Sequence, residues 1–309
     1  MSNPYISVIV PVYGCKECLY ELYIRLCNVL EKISNDFEIL YIDDGAPDNP
    51  WSFILELAGK DSRLKGIRFS RNFGQHKAIA AGLEYSTGNW VVVMDCDLQD
   101  VPEELLKLHQ KALEGYDVVL GSRNNRKDIF LKKLMSQLFY RILGYLTETV
   151  QDSTIGNFGI YNRGVVNAIC SMHDSFRYFP TMVRWVGFSQ TQIEIVHAER
   201  KTGKTSYSFK KLLNLGLEVM LAFSDKPLRL TVKAGIGISV LAILYTFFVL
   251  IEYATGKITV LGYTSLVISI WLLSGIIIFT LGMVGLYIGK TFESVKGRPL
   301  YVVKEKANV

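Results

Sequence analysis

Two carboxylates and an amide occupy alternate positions in the stretch VVVMDCDLQD, residues 91–100. If this segment is extended, Asp95, Asp97 and Gln99 point to the same side, because side chains alternate between the two faces of a strand. Their oxygens are hard ligands of the kind that Mg²⁺ and Mn²⁺ bind together with water and substrate phosphates. The spacing therefore predicts a metal-diphosphate site, although a single D-x-D is also compatible with a solvated strand end.

The segments around this motif alternate between apolar strand-like runs and helical spacing. Strands are predicted over 5–13, 37–45, 64–70, 89–97 and 116–123, and helices over 17–33, 74–86 and from Pro102 onwards. Continuous apolar strands separated by helices predict a mainly parallel sheet covered on both faces. Ligands bind beyond the carboxyl ends of such strands. The acidic pair Asp43-Asp44 should therefore lie at the same edge as the D-x-D.

The C-terminal third contains two long apolar runs. Residues 234–251 are uncharged, and residues 261–289 contain no acidic or basic residue, so each run is long enough to cross a bilayer. A buried helical hairpin of a soluble domain is the alternative. Lysines and arginines precede the first run and follow the second, which by the positive-inside rule predicts that both flanks are cytoplasmic.

The N-terminal segment and the cysteines are consistent with a cytoplasmic sheet domain. The segment MSNPYISVIVPVYG has neither the basic region nor the cleavage site of a signal peptide. The chain has five cysteines, and Cys15 and Cys18 form a C-x-x-C without a second pair at metal-ligand spacing. We therefore interpret these two residues as ordinary thiols near the start of a helix, with a redox or zinc role as the alternative.

Several motifs together resemble a known family. PVYG, DDGAPD, RNFGQHKAIAAGL, DCDLQDVPEE, GSR and RKTGKTSYSFKKL follow one another along the chain. In this order they are similar to the motifs of polyprenyl-phosphate glycosyltransferases of glycosyltransferase family 2, such as bactoprenol glucosyltransferases and dolichol-phosphate mannose synthases. The resemblance implies a GT-A fold, a Rossmann-like α/β domain, followed here by two transmembrane helices. It also implies transfer of a sugar from a nucleotide diphosphate to an isoprenoid phosphate, with inversion.

The resemblance assigns roles to the donor side of the site. Asp95, Asp97 and Gln99 would hold Mg²⁺ or Mn²⁺ against the diphosphate. The nucleoside pocket would be lined by Pro11, Tyr13, Asp43 and Asp44. Arg71 and Asn72 would contact the donor or brace the D-x-D loop.

It also assigns roles on the acceptor side. Cationic and hydroxyl groups suit the phosphate of a lipid because they form short charge-assisted hydrogen bonds. The residues assigned to the acceptor phosphate are Arg123, Lys132, Ser136, Arg200 and Lys204, and a solvated basic face beside an anionic membrane is the alternative.

The chain departs from the family pattern at three places. Gly14-Cys15 replaces the usual Asn-Glu after PVY, Thr205-Ser206 replaces a common Ser-Lys, and Asn157 stands where relatives often have Asp. The last change puts an aspartate base there in doubt, and Asp152 is an auxiliary candidate. A phosphate monoester is already largely dianionic at pH 7, so the acceptor needs positioning more than deprotonation.

The predicted domain organisation has four parts. They are a catalytic domain over 1–205, an amphipathic interfacial helix and linker over 206–230, the transmembrane pair within 231–289, and a cytoplasmic tail over 290–309. The helix over 206–223 could equally be a core helix of the sheet domain. A strand over 300–303 would pair with another subunit in a homo-oligomer such as a tetramer, and an unpaired tail is equally compatible with the sequence.

The resemblance implies an enzyme that transfers glucose from a uridine diphosphate sugar to undecaprenyl phosphate in a bacterial plasma membrane, for cell-surface glycan or O-antigen modification. Galactose, mannose, an N-acetylhexosamine or an aminoarabinose derivative fits the same motifs. A processive polysaccharide synthase is disfavoured because its Gln-x-x-Arg-Trp signature has Thr181 in place of Gln. The intact D-x-D disfavours a non-enzymatic scaffold. The net charge is +5, but no nucleic-acid-binding motif accompanies it, so nucleic acid is not an expected partner. His76, inside the RNFGQHK motif, is the one histidine of interest.

Overall fold

A computed structural model describes residues 4–122, 155–172, 174, 177–198, 224–255 and 262–309. The strands in chain order are β1 (Ile6–Val12), β2 (Phe37–Asp43), β3 (Leu64–Phe69), β4 (Trp90–Val93), β5 (Val118–Ser122), β6 (Ile155–Asn162), β7 (Gln190–Glu194) and β8 (Val303–Ala307). The helices are α1 (Leu19–Leu30), α2 (Trp51–Lys60), α3 (Gln75–Tyr85), α4 (Leu105–Ala112), α5 (Arg163–Ser171), α6 (Phe179–Trp185), α7 (Lys226–Ala254) and α8 (Tyr263–Val295). The predicted interfacial helix over 206–223 lies outside the described residues.

The strands form one sheet in the order β7-β5-β6-β4-β1-β2-β3-β8. The first four strands along the chain are parallel to one another. Strand β6 is antiparallel to β4 and β5, and β8 is antiparallel to β3. The α/β class with a mainly parallel sheet, predicted from the strand-helix alternation, is therefore confirmed.

The core lies on both faces of the central strands. Every residue of β1 and β2 is buried, which explains why these strands are continuous apolar runs instead of alternating ones. Helix α1 covers one face with Leu19, Leu22, Leu26 and Leu30, all fully buried at helical spacing. Burial of such a leucine stabilises the fold by roughly 1.5–3 kcal/mol.

Strand β4 is shorter than the strand predicted over 89–97, and Pro11 explains where its pairing ends. The amide of Met94 donates to the carbonyl of Ile9, so Ile9 bonds toward β4. Pro11, two residues further, faces the same neighbour but has no N–H to donate. The β1–β4 ladder ends at the Ile9–Val93 pair, and the D-x-D lies in the loop that follows.

The C-terminal strand joins the sheet of its own chain. Strand β8 pairs with β3 over Gly66–Phe69, which differs in position and partner from the strand that we predict over 300–303 in contact with another subunit. Glu305 accepts hydrogen bonds from Trp51 Nε1 at 2.8 Å and from Arg68 at 3.0 Å. Without β8 the edge of β3 would be unpaired. The hydrogen bonds from Trp51 and Arg68 to Glu305 help to fix the register of β8 on β3.

The chain divides into two compact units. One contains the sheet and residues 298–309, and the other contains residues 209–297. Within the second unit, Lys226–Tyr245 and Leu272–Val295 are long and apolar enough to cross a membrane. Large apolar side chains such as Leu241, Tyr245 and Ile278 are exposed there. This exposure indicates membrane association.

A buried ionic network lies at the amino-terminal edge of the sheet. The Glu38 carboxylate accepts hydrogen bonds from Ser7 at 2.6 Å and from the Thr87 amide at 2.7 Å, and Lys65 lies 2.5 Å away. Burial raises the pKa of Glu38, but the hydrogen bonds from Lys65, Ser7 and Thr87 outweigh this and hold its pKa below the ordinary value. Its stabilising contribution is therefore present at neutral pH and is lost as the pH falls through that lowered pKa.

Replacement of Glu38 by alanine should destabilise the sheet unit by about 3 kcal/mol, because it leaves the buried Ser7 hydroxyl, the Thr87 amide and the partly buried Lys65 ammonium without their common partner. Chemical denaturation of the full chain in detergent micelles, followed by tryptophan fluorescence, measures this. The matched control is Glu56→Ala, which removes an exposed i,i+4 pair with Lys60 and should cause no measurable change. Equal stability of the two variants would contradict the assignment.

Candidate active site

The residues predicted to bind the donor lie at the carboxyl edge of the sheet. Tyr13 follows β1, Asp44 follows β2, Arg71 follows β3 by two residues, and Asp95 follows β4 by two residues. Because these four strands are parallel, their carboxyl ends meet at one edge. The sequence pattern predicted this convergence, and the structure places the segments accordingly.

The acidic pair at the end of β2 is buried and hydrogen-bonded. Asp43 accepts a hydrogen bond from the Ala46 amide at 2.9 Å and lies 3.5 Å from Arg68 Nε. Asp44 accepts from the backbone amides of Phe73 and Gly74 at 2.6 and 2.9 Å. Burial raises the pKa of both carboxyls. Asp44 therefore anchors the loop between β3 and α3, in addition to the nucleoside contact that the resemblance assigns to it.

Gly45 allows the same loop to come close to β2. Its φ is +63°, and a Cβ there would lie 2.6 Å from the carbonyl carbon of Arg71 and 2.7 Å from the amide of Asn72. Only glycine satisfies both constraints. Arg71 itself is exposed, with its guanidinium over the Phe73 ring at 4.2 Å. The structure thus places the backbone of Arg71 and Asn72 against Gly45, the residue after the acidic pair, and their contact with a donor stays a prediction.

The D-x-D residues lie in a tight turn and not on the extended segment that we predict. Leu98 has a φ of +60°, which is strained for a bulky residue, yet its side chain is buried. Asp95, Asp97 and Gln99 are nevertheless partly exposed and alternate with buried neighbours. The backbone amide of Gln99 donates to Asp97 Oδ1 at 3.2 Å. The turn therefore presents the three polar side chains at the edge of the sheet.

Two residues other than the three predicted metal ligands support this turn. Gln75, the first residue of α3, donates from its side-chain amide to Asp95 Oδ1 at 2.6 Å. Asp100 is fully buried, and its carboxylate lies 3.4 Å from the Asp95 amide. Gln75 directly follows Gly74, which Asp44 holds, so Asp44 and Asp95 are connected through two sets of hydrogen bonds on one short backbone segment. The position of Gln75 inside the RNFGQHK motif is the only sign in the sequence that this residue supports the site.

A segment after β7 crosses the far side of the turn. Asp100 forms an isolated antiparallel bridge with His197, and the Ala198 amide donates to the Gln99 carbonyl at 2.9 Å. His197 Nδ1 lies 3.6 Å from Asp100 Oδ1. The D-x-D turn is therefore held by α3 on one side and by residues 197–198 on the other.

Cys15 and Cys96 form a disulfide between segments that are 81 residues apart in sequence. The interpretation of Cys15 as an ordinary thiol is therefore wrong, and its partner is not Cys18, which is a free buried cysteine. The pairing follows from the sheet, because β1 and β4 are parallel neighbours and each cysteine follows the end of one of them. The C-x-x-C spacing gave no indication of this long-range partner.

The acceptor side is described only in part. Strand β6 is antiparallel to β4 with Gly159 opposite Val93, so Asn157 lies two residues further toward the edge where Asp95 follows β4. Asn157 is partly buried. Six of the predicted site residues lie outside the described residues, and their roles stay predictions: Arg123, Lys132, Ser136, Asp152, Arg200 and Lys204.

The donor set at the edge suits a divalent ion that is bound largely through its substrate. No group of three or more His, Cys, Asp or Glu side chains that could hold a metal ion occurs among the described residues. Asp95 and Asp97 supply two carboxylates on one turn, and Mg²⁺ commonly takes one or two carboxylates from protein together with substrate phosphates and water. These residues therefore fit a metal that arrives with a nucleotide diphosphate.

The mainly parallel sheet is that of a GT-A-like α/β domain, and comparison identifies the family. Residues 7–170 match the model described as glycosyl transferase family 2, and the chain belongs to that family. It is therefore a glycosyltransferase.

Two curated relatives align with nearly the whole chain. The prophage bactoprenol glucosyl transferase homolog of Escherichia coli is 34% identical over 97% of this chain and 98% of its own length. The undecaprenyl-phosphate 4-deoxy-4-formamido-L-arabinose transferase of Enterobacter is 33% identical over 97% of this chain and 92% of its own. The resemblance to polyprenyl-phosphate glycosyltransferases is therefore confirmed at the level of the family and of its named members.

A solved structure supports the fold. The crystal structure of glucosyl-3-phosphoglycerate synthase from Mycobacterium tuberculosis, in complex with Mn²⁺ and uridine-diphosphate-glucose, has a TM-score of 0.50 and 14% identity. The similarity covers 71% of this chain and 77% of that chain. At this identity the likeness concerns the fold alone.

Gln75→Ala should weaken Mn²⁺ binding about tenfold, because the residue orients Asp95 and loss of such a supporting hydrogen bond typically costs 10- to 100-fold in metal affinity. Electron paramagnetic resonance of Mn²⁺ titrated into the full chain with UDP measures binding without turnover. The matched control, Gln110→Ala, changes an exposed glutamine of α4. Unchanged Mn²⁺ affinity in the Gln75 variant would refute the supporting role.

His76 should make the stability of the sheet unit depend on pH. Burial lowers its pKa to about 4, its Nδ1 has no hydrogen-bond partner among the described residues, and its ring packs on Tyr178 at 4.7 Å. An unfolded histidine has a pKa of about 6.5, so the unfolded chain binds more protons between these values. The stability that depends on neutral His76 is complete above pH 6.5 and falls as the pH drops toward 4.

His76→Gln should therefore reduce the loss of unfolding free energy between pH 6.5 and 5, which reaches up to about 1.4 kcal/mol per pH unit for one proton. Denaturant titrations at several pH values measure the slope for both proteins. An identical slope in the variant would show that other groups cause it.

Proposed function

We propose that the protein transfers glucose from UDP-glucose to undecaprenyl phosphate at the cytoplasmic face of a bacterial plasma membrane. The observation that carries the proposal is the length of the match to the bactoprenol glucosyl transferase homolog. It spans the sheet unit and the two long apolar helices alike. A water-soluble acceptor would not require those helices, whereas an isoprenoid phosphate is found in the membrane.

The donor binds at the carboxyl edge in this proposal. Pro11, Tyr13 and Asp43 line the nucleoside pocket, and Tyr13 is exposed enough to contact a base. Asp44 contributes there while it holds the Phe73-Gly74 loop. A bound Mg²⁺ or Mn²⁺, held by Asp95, Asp97 and Gln99, supplies positive charge that offsets the charge on the departing diphosphate.

The acceptor phosphate is the nucleophile. One of its oxygens forms a bond to the anomeric carbon as the bond between that carbon and the diphosphate oxygen breaks, so that UDP leaves and the configuration is inverted. The phosphate is already largely ionised, so orientation dominates. Arg123, Lys132, Ser136, Arg200 and Lys204 are proposed to hold it.

Asn157 is proposed to contact the reacting groups without acting as a base, because its amide cannot accept a proton at neutral pH. Asp152 is the proposed auxiliary base. Both assignments rest on the family resemblance, with the edge position of Asn157 as structural support.

Membrane topology follows from charge in this proposal. Both flanks of the helical pair carry lysines and arginines, which favours the cytoplasm for the catalytic unit, for both termini and for 290–309. The proposed parts are those predicted above, except that residues 226–230 of the predicted linker belong to α7 and residues 290–295 of the predicted tail belong to α8. Assembly into a homo-oligomer such as a tetramer, and a place in cell-surface glycan or O-antigen modification, belong to the proposal.

The sugar is the least constrained part of the proposal. The name of one relative specifies a glucosyl group and that of the other a formamido-arabinose, whereas both names refer to the same class of lipid. Glucose is therefore the first donor to test, and galactose, mannose, N-acetylhexosamines and aminoarabinose derivatives are the alternatives.

The experiment measures radiolabel transferred from a panel of nucleotide sugars into organic-extractable lipid. Purified membranes containing the chain receive undecaprenyl phosphate with Mn²⁺, Mg²⁺ or EDTA. Labelled lipid from UDP-glucose in the presence of metal is expected. Absence of lipid product from every donor, with folded protein, would overturn the proposal.

Asp97→Asn should lower this transfer by about a hundredfold or more, because a neutral amide cannot replace the charge that holds the metal. Asp36→Asn is the matched control, since Asp36 is exposed just before β2 at the opposite edge of the sheet. Full metal-dependent transfer by the Asp97 variant would remove that residue from the metal site.

A further inference from the structure

Cys15 and Cys96 connect two parts of the candidate active site. Cys15 follows Tyr13 by two residues, and Cys96 stands between Asp95 and Asp97. The Cα atoms of the two cysteines are 6.2 Å apart, within the usual range for a disulfide. The bond therefore links the nucleoside side of the edge directly to the D-x-D turn.

The geometry of the sheet makes this pair specific. Strands β1 and β4 are hydrogen-bonded neighbours as far as Ile9 and Val93, and each cysteine lies in the loop immediately beyond. Cys18 lies one turn further along, where its backbone amide donates to the Cys15 carbonyl at 3.0 Å. Cys18, Cys27 and Cys170 are free. Among the described cysteines, the fold thus selects Cys96 as the partner of Cys15.

We propose that Cys15 and Cys96 form a reversible thiol-disulfide modification site that controls turnover at the donor site. The effect on turnover rests on the proposed function. The oxidant is a low-molecular-weight disulfide, such as oxidised glutathione, and the reductant is a small thiol or dithiol. A cytoplasmic compartment keeps most thiols reduced, and disulfides found there are usually transient, catalytic or redox-sensing.

The chemistry is ordinary thiol-disulfide exchange. The thiolate of one cysteine attacks a sulfur of the small disulfide, so that a mixed disulfide forms and one small thiol leaves. The thiolate of the other cysteine attacks the protein sulfur of that mixed disulfide, and the second small thiol leaves. Two protein thiols are oxidised, one small disulfide is reduced, and the two protons end on the released thiols.

Both cysteines are largely buried, which protects the pair from indiscriminate oxidation and makes exchange slow. Cys15 and Cys96 have 7% and 8% of their surface exposed. Cys15 lies between exposed Gly14 and exposed Lys16, and we propose this loop as the side from which a small reagent approaches. Slow exchange with small disulfides is the expected behaviour of such a site.

The bond should slow the enzyme by restricting relative movement. The D-x-D turn is already attached to α3 through Gln75 and to residues 197–198 through Asp100 and Gln99. A covalent bond to the β1 loop adds a third attachment and prevents the two sides of the edge from separating. Because opening of a site and release of product limit many enzymes, the oxidised form should turn over about tenfold more slowly.

The test uses the full chain in detergent micelles, equilibrated with dithiothreitol or with oxidised glutathione, and then alkylated and mapped by mass spectrometry. A peptide pair linked through Cys15 and Cys96 should appear only under oxidation and disappear again with dithiothreitol. The thermal unfolding midpoint should rise on oxidation, because a cross-link between distant residues restricts the unfolded chain. Turnover of the donor should fall about tenfold and recover.

Cys15→Ala and Cys96→Ala should each abolish the redox response of the midpoint and of turnover, whereas Cys18→Ala, the matched control, should retain both. Absence of the linked peptide at every redox ratio would overturn the proposal, as would a response that persists in Cys15→Ala. A linked peptide that leaves turnover unchanged would also overturn it.

Failure of the proposed function is distinguishable from these outcomes. In that case no donor supports lipid labelling, so turnover cannot be the readout. The readouts are then the peptide map and the binding of Mn²⁺ and UDP by the oxidised and the reduced chain. Binding that differs between the two forms would support the proposal, and identical binding would overturn it.

Discussion

The buried Asp44 carboxylate is the contact on which the arrangement of the carboxyl edge of the sheet depends. It accepts two backbone hydrogen bonds from Phe73 and Gly74, and thereby fixes where α3 begins. The start of α3 in turn places Gln75 against Asp95. One charged group between β2 and β3 thus determines the position of a side chain beyond β4. Such a carboxylate carries a desolvation cost that its two backbone hydrogen bonds offset only in part, since its pKa stays raised.

The two edges of the sheet use buried acids for different purposes. At the amino-terminal edge, Glu38 is enclosed by Ser7, Thr87 and Lys65, and its pKa is lowered. At the carboxyl edge, Asp43 and Asp44 have raised pKa values because burial dominates. A carboxylate whose charge is fully balanced stabilises the fold. Carboxylates with less compensation suit an edge where a ligand or metal completes the electrostatics.

The local pattern of the sequence predicts the parallel sheet and the edge at which the acidic segments meet. Alternating strands and helices suffice for both, because the direction of a parallel strand fixes where its carboxyl end lies. The pattern fails where a contact joins distant segments. The Cys15–Cys96 pair, the Asp44 anchor and the Gln75 support each depend on loops brought together by the sheet. The prediction that the D-x-D is extended was wrong for a related reason. The residue that ends the pairing of β4 with β1 is Pro11, which lies on β1, far from the D-x-D in sequence.

The pairing of β8 with β3 sets a condition on any passage of the two apolar helices through lipid. The sheet contains strands from before the two apolar helices and one strand from after them. A chain that leaves a compartment and returns to the same sheet must cross the bilayer an even number of times. In the proposed membrane topology, the sheet therefore requires an even number of crossings without reference to flanking charges. An insertion or deletion that removed one of two crossings would place β8 in the wrong compartment and leave the edge of β3 unpaired.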